Sequence, residues 1–285
     1  MTLDIYQELI TIIHMINRGG KTDQNREPIR RKLITIILII AVVYLAICVY
    51  MYLNQRAFIY FPQPGVLYTG EKPVEIRSGE ITLRGWVVNE GRDEAVIYFG
   101  GNAERPEANI PDFKLVFDNQ TVYLINYRGY GESDGSPTEE GLYADALAIY
   151  DHVSRNHSKV TVIGRSIGAG VATYLASQRG VDRLVLIEPF DNMVNVARAA
   201  YPIFPVKFML KDRYDSASRA GNITARTLII MAGKDEIIPG WSTENLISEF
   251  DQDILEVVVI EDATHNDIQN YPEYYRLIEE FVTSE

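Results

Sequence analysis

The chain has 285 residues, with 27 Lys plus Arg against 39 Asp plus Glu, a formal charge of −12. An acidic protein of this kind repels a phosphate backbone, so nucleic acid is not an expected partner. A content of 47% hydrophobic and 23% charged residues excludes disordered and fibrous classes, and the single Cys48 excludes an intrachain disulfide. No Cys/His cluster has metal-ligand spacing, so neither metal nor cofactor is expected.

Charge is unevenly placed. Residues 1–56 carry seven basic and four acidic side chains, a balance of +3 that leaves −15 on the remainder. Within residues 1–32, Leu3, Tyr6, Leu9, Ile10, Ile13 and Ile16 form a helical apolar stripe, suited to a membrane surface or a neighbouring element.

Leu33 to Leu53 is a run of 21 residues without a charge. At 1.5 Å per residue it spans roughly 30 Å, the thickness of a bilayer core. It is apolar on every side, unlike a buried amphipathic helix, and too long for a signal peptide. Arg26, Arg30, Arg31 and Lys32 precede it and only Arg56 follows closely. The positive-inside rule then predicts a single-pass transmembrane helix with a cytoplasmic N-terminus and an extracytoplasmic C-terminal domain. Tyr50, Tyr52, Phe58, Tyr60 and Phe61 are expected as an aromatic belt on the exit side. The expected organisation is a cytoplasmic segment over residues 1–32, a membrane span over 33–53 and one domain over 54–285.

Beyond residue 64, strand-length apolar runs alternate with helical patterns. Ile81–Val88, Ala95–Phe99, Thr121–Asn126, Val160–Ile163, Arg183–Ile187, Thr227–Met231 and Leu255–Ile260 read as strands, several of them β-branched and so expected to be buried on both faces. Such an alternation predicts an α/β domain, a mostly parallel sheet with helices on both faces. One helix is expected to open at Ser136-Pro137-Thr138-Glu139, with Ser136 as N-cap and Leu142, Ala146, Tyr150 and Val153 as its apolar stripe. The last is expected to start near Pro272 and to bury Tyr275, Ile278 and Val282.

A nucleophilic serine held on a tight strand-to-helix turn needs glycine two residues to either side. Gly-x-Ser-x-Gly occurs twice, at Gly131–Gly135 around Ser133 and at Gly164–Gly168 around Ser166. Only Ser166 follows a strand directly and precedes a helical run, so it is the expected nucleophile. Ser133 lies in a polar glycine-rich loop and reads as a turn residue.

In such an arrangement the acid and the base follow the serine in the chain. Of four histidines, His14 precedes the apolar run, and His152 and His157 precede Ser166 and read as solvated surface residues. His265, just past the strand Leu255–Ile260, is the expected base. Asp235, two residues past the Gly233 turn, is the expected acid, with Glu188 at the end of the strand Arg183–Ile187 as the alternative. An oxyanion hole requires two backbone N–H groups, expected from Ile167 at the helix N-terminus and from Asn102 in the loop Gly100-Gly101-Asn102-Ala103.

With these pieces placed, residues 64–283 resemble the α/β-hydrolase superfamily of serine hydrolases. More narrowly the chain is similar to membrane-anchored alpha/beta-hydrolase-domain proteins, whose relatives include lysophospholipases, protein depalmitoylases and serine aminopeptidase-like enzymes. Asn126-Tyr127-Arg128-Gly129-Tyr130-Gly131-Glu132-Ser133, Pro137–Leu142, Gly164–Gly170, Tyr201-Pro202, Pro205-Val206, Arg213–Ser216 and His265-Asn266-Asp267 carry the resemblance. It implies a Ser166–Asp235–His265 triad, a structural loop around Ser133, and a small cap over about residues 189–223 containing Phe190, Met193, Val194, Tyr201, Phe204, Phe208 and Met209. Where the family usually reads His-Gly-Asn and His-Gly, this chain has Gly100-Gly101-Asn102 and Ala232-Gly233.

The expected function is a membrane-anchored serine hydrolase that cleaves an ester, thioester or amide through an acyl-enzyme, the substrate being an acyl compound or lipid. An acyltransferase or peptidase using the same triad, and a non-catalytic binding module on a hydrolase scaffold, are the alternatives.

Overall fold

The structure is a computed structural model that describes residues 27–65 and 70–284. The stripe Leu3–Ile16 and His14 lie outside the described residues. The chain divides into two compact units, Met1–Asn54 and Gln55–Glu285.

In the first unit the described residues form most of helix α1, Glu27–Ile59, a 33-residue element. It contains the whole apolar run, is long and apolar enough to cross a membrane, and exposes Ile and Leu side chains along its length. Helix formation there satisfies every interior backbone polar group, as a hydrocarbon environment demands.

In the second unit eight strands form one sheet: β1 Lys72–Ser78, β2 Ile81–Val88, β3 Glu94–Phe99, β4 Gln120–Ile125, β5 Lys159–Arg165, β6 Arg183–Ile187, β7 Arg226–Ala232 and β8 Leu255–Ile260. Their order is β1-β2-β4-β3-β5-β6-β7-β8. β2 runs antiparallel to β1 and β4, and every pairing from β4 across to β8 is parallel. The helices are α2 Ile110–Val116, α3 Glu139–Val153, α4 Ile167–Gln178, α5 Met193–Ala200, α6 Val206–Met209, α7 Ala217–Ala220, α8 Gly240–Ser248 and α9 Pro272–Thr283.

Side-chain alternation along the strands sorts the core into two layers. Ala95, Ile97 and Phe99 of β3 join Leu142 and Ala146 of α3 and Val171 and Leu175 of α4 on one face, while Val96 and Tyr98 join Phe113 of α2 and Ile278 and Phe281 of α9 on the other. The expected doubly covered sheet is therefore present.

Four local expectations are corrected. Thr138, not Ser136, caps α3: its hydroxyl accepts the Gly141 N–H at 2.9 Å, because Pro137 precedes the helix instead of opening it. Helix α9 buries Tyr274 rather than Tyr275. β8 is not buried on both faces: as the edge strand it leaves Val257 and Val259 40% and 42% exposed, while Val258 packs on the second core layer. Tyr60 is no belt residue but a core side chain, its hydroxyl 2.7 Å from that of Tyr214 and 3.1 Å from Asp212. Strand β1 has no counterpart among the expected strands.

The segment between β6 and β7, where a cap is expected, contains α5, α6 and α7. Phe190 beneath it is buried, whereas Tyr201 and Phe208 stand 48% and 84% exposed on its surface.

Candidate active site

β5 ends at Arg165 and α4 begins at Ile167, so Ser166 is the whole turn between them. Its backbone sits at φ 52 and ψ −116, a conformation that residues with a Cβ rarely adopt. The flanking glycines permit it: a Cβ on Gly164 would come within 2.3 Å of the Gly168 carbonyl oxygen, and one on Gly168 within 2.1 Å of Phe99 O. Ser166 N–H donates to Ile187 O at 2.8 Å, which ties the turn to the end of β6.

His265, in the loop after β8, places Nε2 3.1 Å from Ser166 Oγ. Its Nδ1 lies 2.8 Å from Asp235 Oδ2, in the loop after β7. Asp235 Oδ1 accepts the N–H groups of Ile237 and Ile238 at 2.8 and 2.7 Å, which fixes the direction of the other oxygen. With Nδ1–H donated to Asp235, Nε2 is left as an acceptor for the serine hydroxyl. His265 is 6% exposed, so this relay is shielded from bulk water.

The oxyanion-loop candidates lie beside it. A Cβ on Gly101 would stand 3.9 Å from that of Ser166. Gly101 N–H is engaged by Glu104 Oε2 at 2.6 Å, and Ala103 N–H by the Asn102 side-chain oxygen at 3.1 Å. Ile167 is the first residue of α4, where an amide has no intrahelical acceptor. Asn102 Oδ1 also accepts from Phe61 N at 3.0 Å and Tyr130 Oη at 2.9 Å, and its Nδ2 donates to Ile59 O at 2.5 Å. The Gly100 carbonyl accepts from Tyr127 Oη at 2.7 Å, and the Glu104 carboxyl fills the space a Gly100 side chain would take.

Ser133 is apart from this constellation. Its hydroxyl donates to Asn126 O at 3.0 Å and accepts Arg84 N–H at 2.8 Å, which pins the glycine loop to β2. His157 bonds Tyr123 Oη and Arg92 O, and His152 is half-buried with its pKa lowered by that burial, so neither is simply solvated.

Two charged residues at the site exceed the expectations. Glu188, the alternative acid, directly follows β6 and stands 3.6 Å from His265 Nδ1. Arg165, inside the Gly-x-Ser-x-Gly segment, donates to His265 O at 2.7 Å and through Nε to Glu188 at 3.3 Å. An arginine beside the expected nucleophile is visible in sequence, but its partners lie 23 and 100 positions away and no local pattern names them. Glu188, Asp235 and His265 also present ligand atoms within 4.8 Å of one another, but His265 and Asp235 already bond each other there.

Residues 99–220 match the sequence family described as the alpha/beta hydrolase fold. The Mycobacterium tuberculosis protein Rv2307c is 32% identical over 256 residues, covering 84% of this chain and 90% of its own length. The Saccharomyces cerevisiae membrane protein YNL320W is 30% identical over 230 residues, covering 74% and 79%. Among solved structures, the Pyrococcus furiosus esterase Pf2001 superposes with a TM-score of 0.65 at 21% identity, over 79% of this chain and 98% of its own. The chain belongs to the α/β-hydrolase superfamily.

Proposed function

We propose that this chain is a membrane-anchored serine hydrolase that cleaves a carboxylic ester, thioester or amide through an acyl-enzyme. The observation that carries the reading is the Ser166–His265–Asp235 relay, with contacts of 3.1 and 2.8 Å around a serine at φ 52. In the reaction Ser166 Oγ bonds to the acyl carbon while its proton passes to His265 Nε2, and His265 delivers that proton to the leaving oxygen, sulfur or nitrogen. Water then attacks the acyl carbon and gives a proton to Nε2, and as the tetrahedral species collapses the C–Oγ bond breaks, Nε2 returns that proton to Ser166 Oγ, and the acid is freed.

Asp235 holds the imidazole tautomer and offsets the charge that His265 acquires. The Ile167 and Asn102 N–H groups receive the developing oxyanion, where fixed dipoles in a water-poor site are strongest. The free amide at the start of α4 and the turn of Gly100–Ala103 against Ser166 support that assignment. No metal or cofactor enters any of these steps.

The length and apolarity of Leu33–Leu53 support an anchor there, and the basic residues ahead of it support a cytoplasmic N-terminus with the hydrolase domain on the opposite side. Protease protection in sealed membranes checks this: the domain should resist digestion from the cytoplasmic side, and its digestion from that side overturns the orientation.

Fluorophosphonate labelling of wild type and Ser166→Ala, run with p-nitrophenyl esters from acetate to palmitate, tests the chemistry. Labelling and turnover that both vanish in the variant support the reading, and the chain-length optimum sizes the acyl site. A folded wild-type protein that neither labels nor turns over an ester overturns it in favour of a binding module.

A further inference from the structure

Two carboxylates face the Nδ1 side of His265, and the relay uses one of them. Glu188 Oε2 stands 3.6 Å from Nδ1, against 2.8 Å for Asp235. The Glu188 side chain is fully buried, and its backbone holds φ 51 with its N–H donated to Ile230 O at 2.8 Å. Its Oε1 has no hydrogen-bond partner among the described residues. A half-bonded carboxylate on a strained backbone is a poor choice for packing alone, since burial penalises each unmade bond.

Arg165 fixes the group against the imidazole. Its Nε reaches Glu188 Oε2 at 3.3 Å, its Nη2 donates to His265 O at 2.7 Å, and its Nη1 lies 3.8 Å from Glu104 Oε2. Glu104 in turn holds Gly101 of the oxyanion loop. One guanidinium thus sets the distance between the loop after β6 and the loop after β8.

We infer that Glu188 is a second orienting carboxylate for His265, clamped by Arg165 and sharing with Asp235 the stabilisation of the imidazolium. The inference rests on the serine-hydrolase reading of the same site. The charged and titratable groups that meet at His265 are Asp235 and Glu236 from the β7 loop, Glu188 from the β6 loop, and Arg165 and Ser166 from the end of β5. Around Glu188 stand His265, Arg165 and Asp235, with the Tyr274 phenol from α9 also acting on it. Burial pushes the Glu188 carboxyl up to about 7, against the pull of His265 and Arg165.

The test uses the full chain in detergent micelles, with the His265 titration followed by NMR in Ser166→Ala and with pH–rate profiles measured on the Ser166 protein. Glu188→Gln should lower the imidazole's apparent pKa by roughly one unit, because a nearby negative charge is lost. The acid limb of kcat/KM should move down with it, and kcat should fall several-fold at nearly constant KM. Asp235→Asn should keep roughly tenfold more activity than Asp235→Asn with Glu188→Gln, since the remaining carboxylate still orients the ring.

An unmoved His265 titration, or equal rates for Asp235→Asn and the double variant, overturns the inference. Should Glu188→Gln fail to fold, Glu188→Asp withdraws the carboxylate by one methylene and must shift the titration in the same direction by less, and no shift is again negative. A wild type that neither labels nor turns over ester sinks the hydrolase reading, while the His265 titration still decides the place of Glu188.

Discussion

The segments Gly131–Gly135 and Gly164–Gly168 share one pattern and differ in everything that chemistry requires. Ser133 is enclosed, its hydroxyl spent on the Asn126 carbonyl and the Arg84 amide. Ser166 stands at φ 52 between a strand and a helix, with its hydroxyl turned to an imidazole at 3.1 Å. In both segments glycine removes a side chain that would collide. At Gly131 the obstacle is the Asn126 side chain, 2.7 Å from a would-be Cβ, and at Gly164 and Gly168 it is backbone. The same glycines thus serve a tight loop in one place and a strand-to-helix turn that presents Ser166 to His265 in the other, and the element before the serine decides which.

Substitutions can break that comparison. The largest difference should come from replacing each serine. Ser166→Ala should lose roughly 10³-fold or more in kcat with thermal stability unchanged. Ser133→Ala should keep its kcat, and a loss of turnover there would remove the distinction between the two segments.

Next in size, Gly168→Ala drives a Cβ into the Phe99 carbonyl at 2.1 Å. Denaturant unfolding should show a loss of about 3 kcal/mol or an insoluble protein, as expected of forced backbone displacement. Gly180→Ala, where a Cβ would meet nothing within 4 Å, is the control. Ser133→Ala should then cost about 1–3 kcal/mol in the same measurement, because the Arg84 N–H is left without its acceptor.

The smallest effect concerns pH. Glu188, raised to about 7 from an ordinary value of 4.5, binds its proton more tightly folded than unfolded. Its contribution to stability is therefore present below about 4.5 and is lost as pH rises through about 7. Wild type should lose melting temperature from pH 5 to 8 relative to Glu188→Gln by a few degrees, and parallel curves would count against the raised value.

Much of the site was legible because its signals are local. Glycine spacing, the β-branched run ahead of Ser166 and the amide at a helix start are written within a few residues of each atom they place, and the order serine, aspartate, histidine needs only the sequence of the strand ends. The sheet was legible where strands are buried, since Val, Ile and Leu crowd β3 to β7. β1 escaped notice because Lys72-Pro73-Val74-Glu75-Ile76-Arg77-Ser78 mixes charges into an exposed edge and buries only Ile76 and Ser78. β8 misled in the opposite sense, its valines reading as core when the edge leaves two of them in solvent. Glu188 and Arg165 meet His265 only through the parallel stacking of β5 and β6 beside the β8 loop, so no window along the chain contains their relation.

The Asn102 side chain sets a limit on where the protein can be cut. It ties the loop beside Ser166 to Ile59 and Phe61, and two further residues of the same stretch, Arg56 and Tyr60, bond the buried Asp212 between α6 and α7. A soluble fragment begun at Pro62 would leave that carboxylate without its cation and Asn102 without two of its partners, whereas one begun at Gln55 keeps them all. The boundary of the hydrolase-fold unit thus falls inside the last turns of the long apolar helix α1.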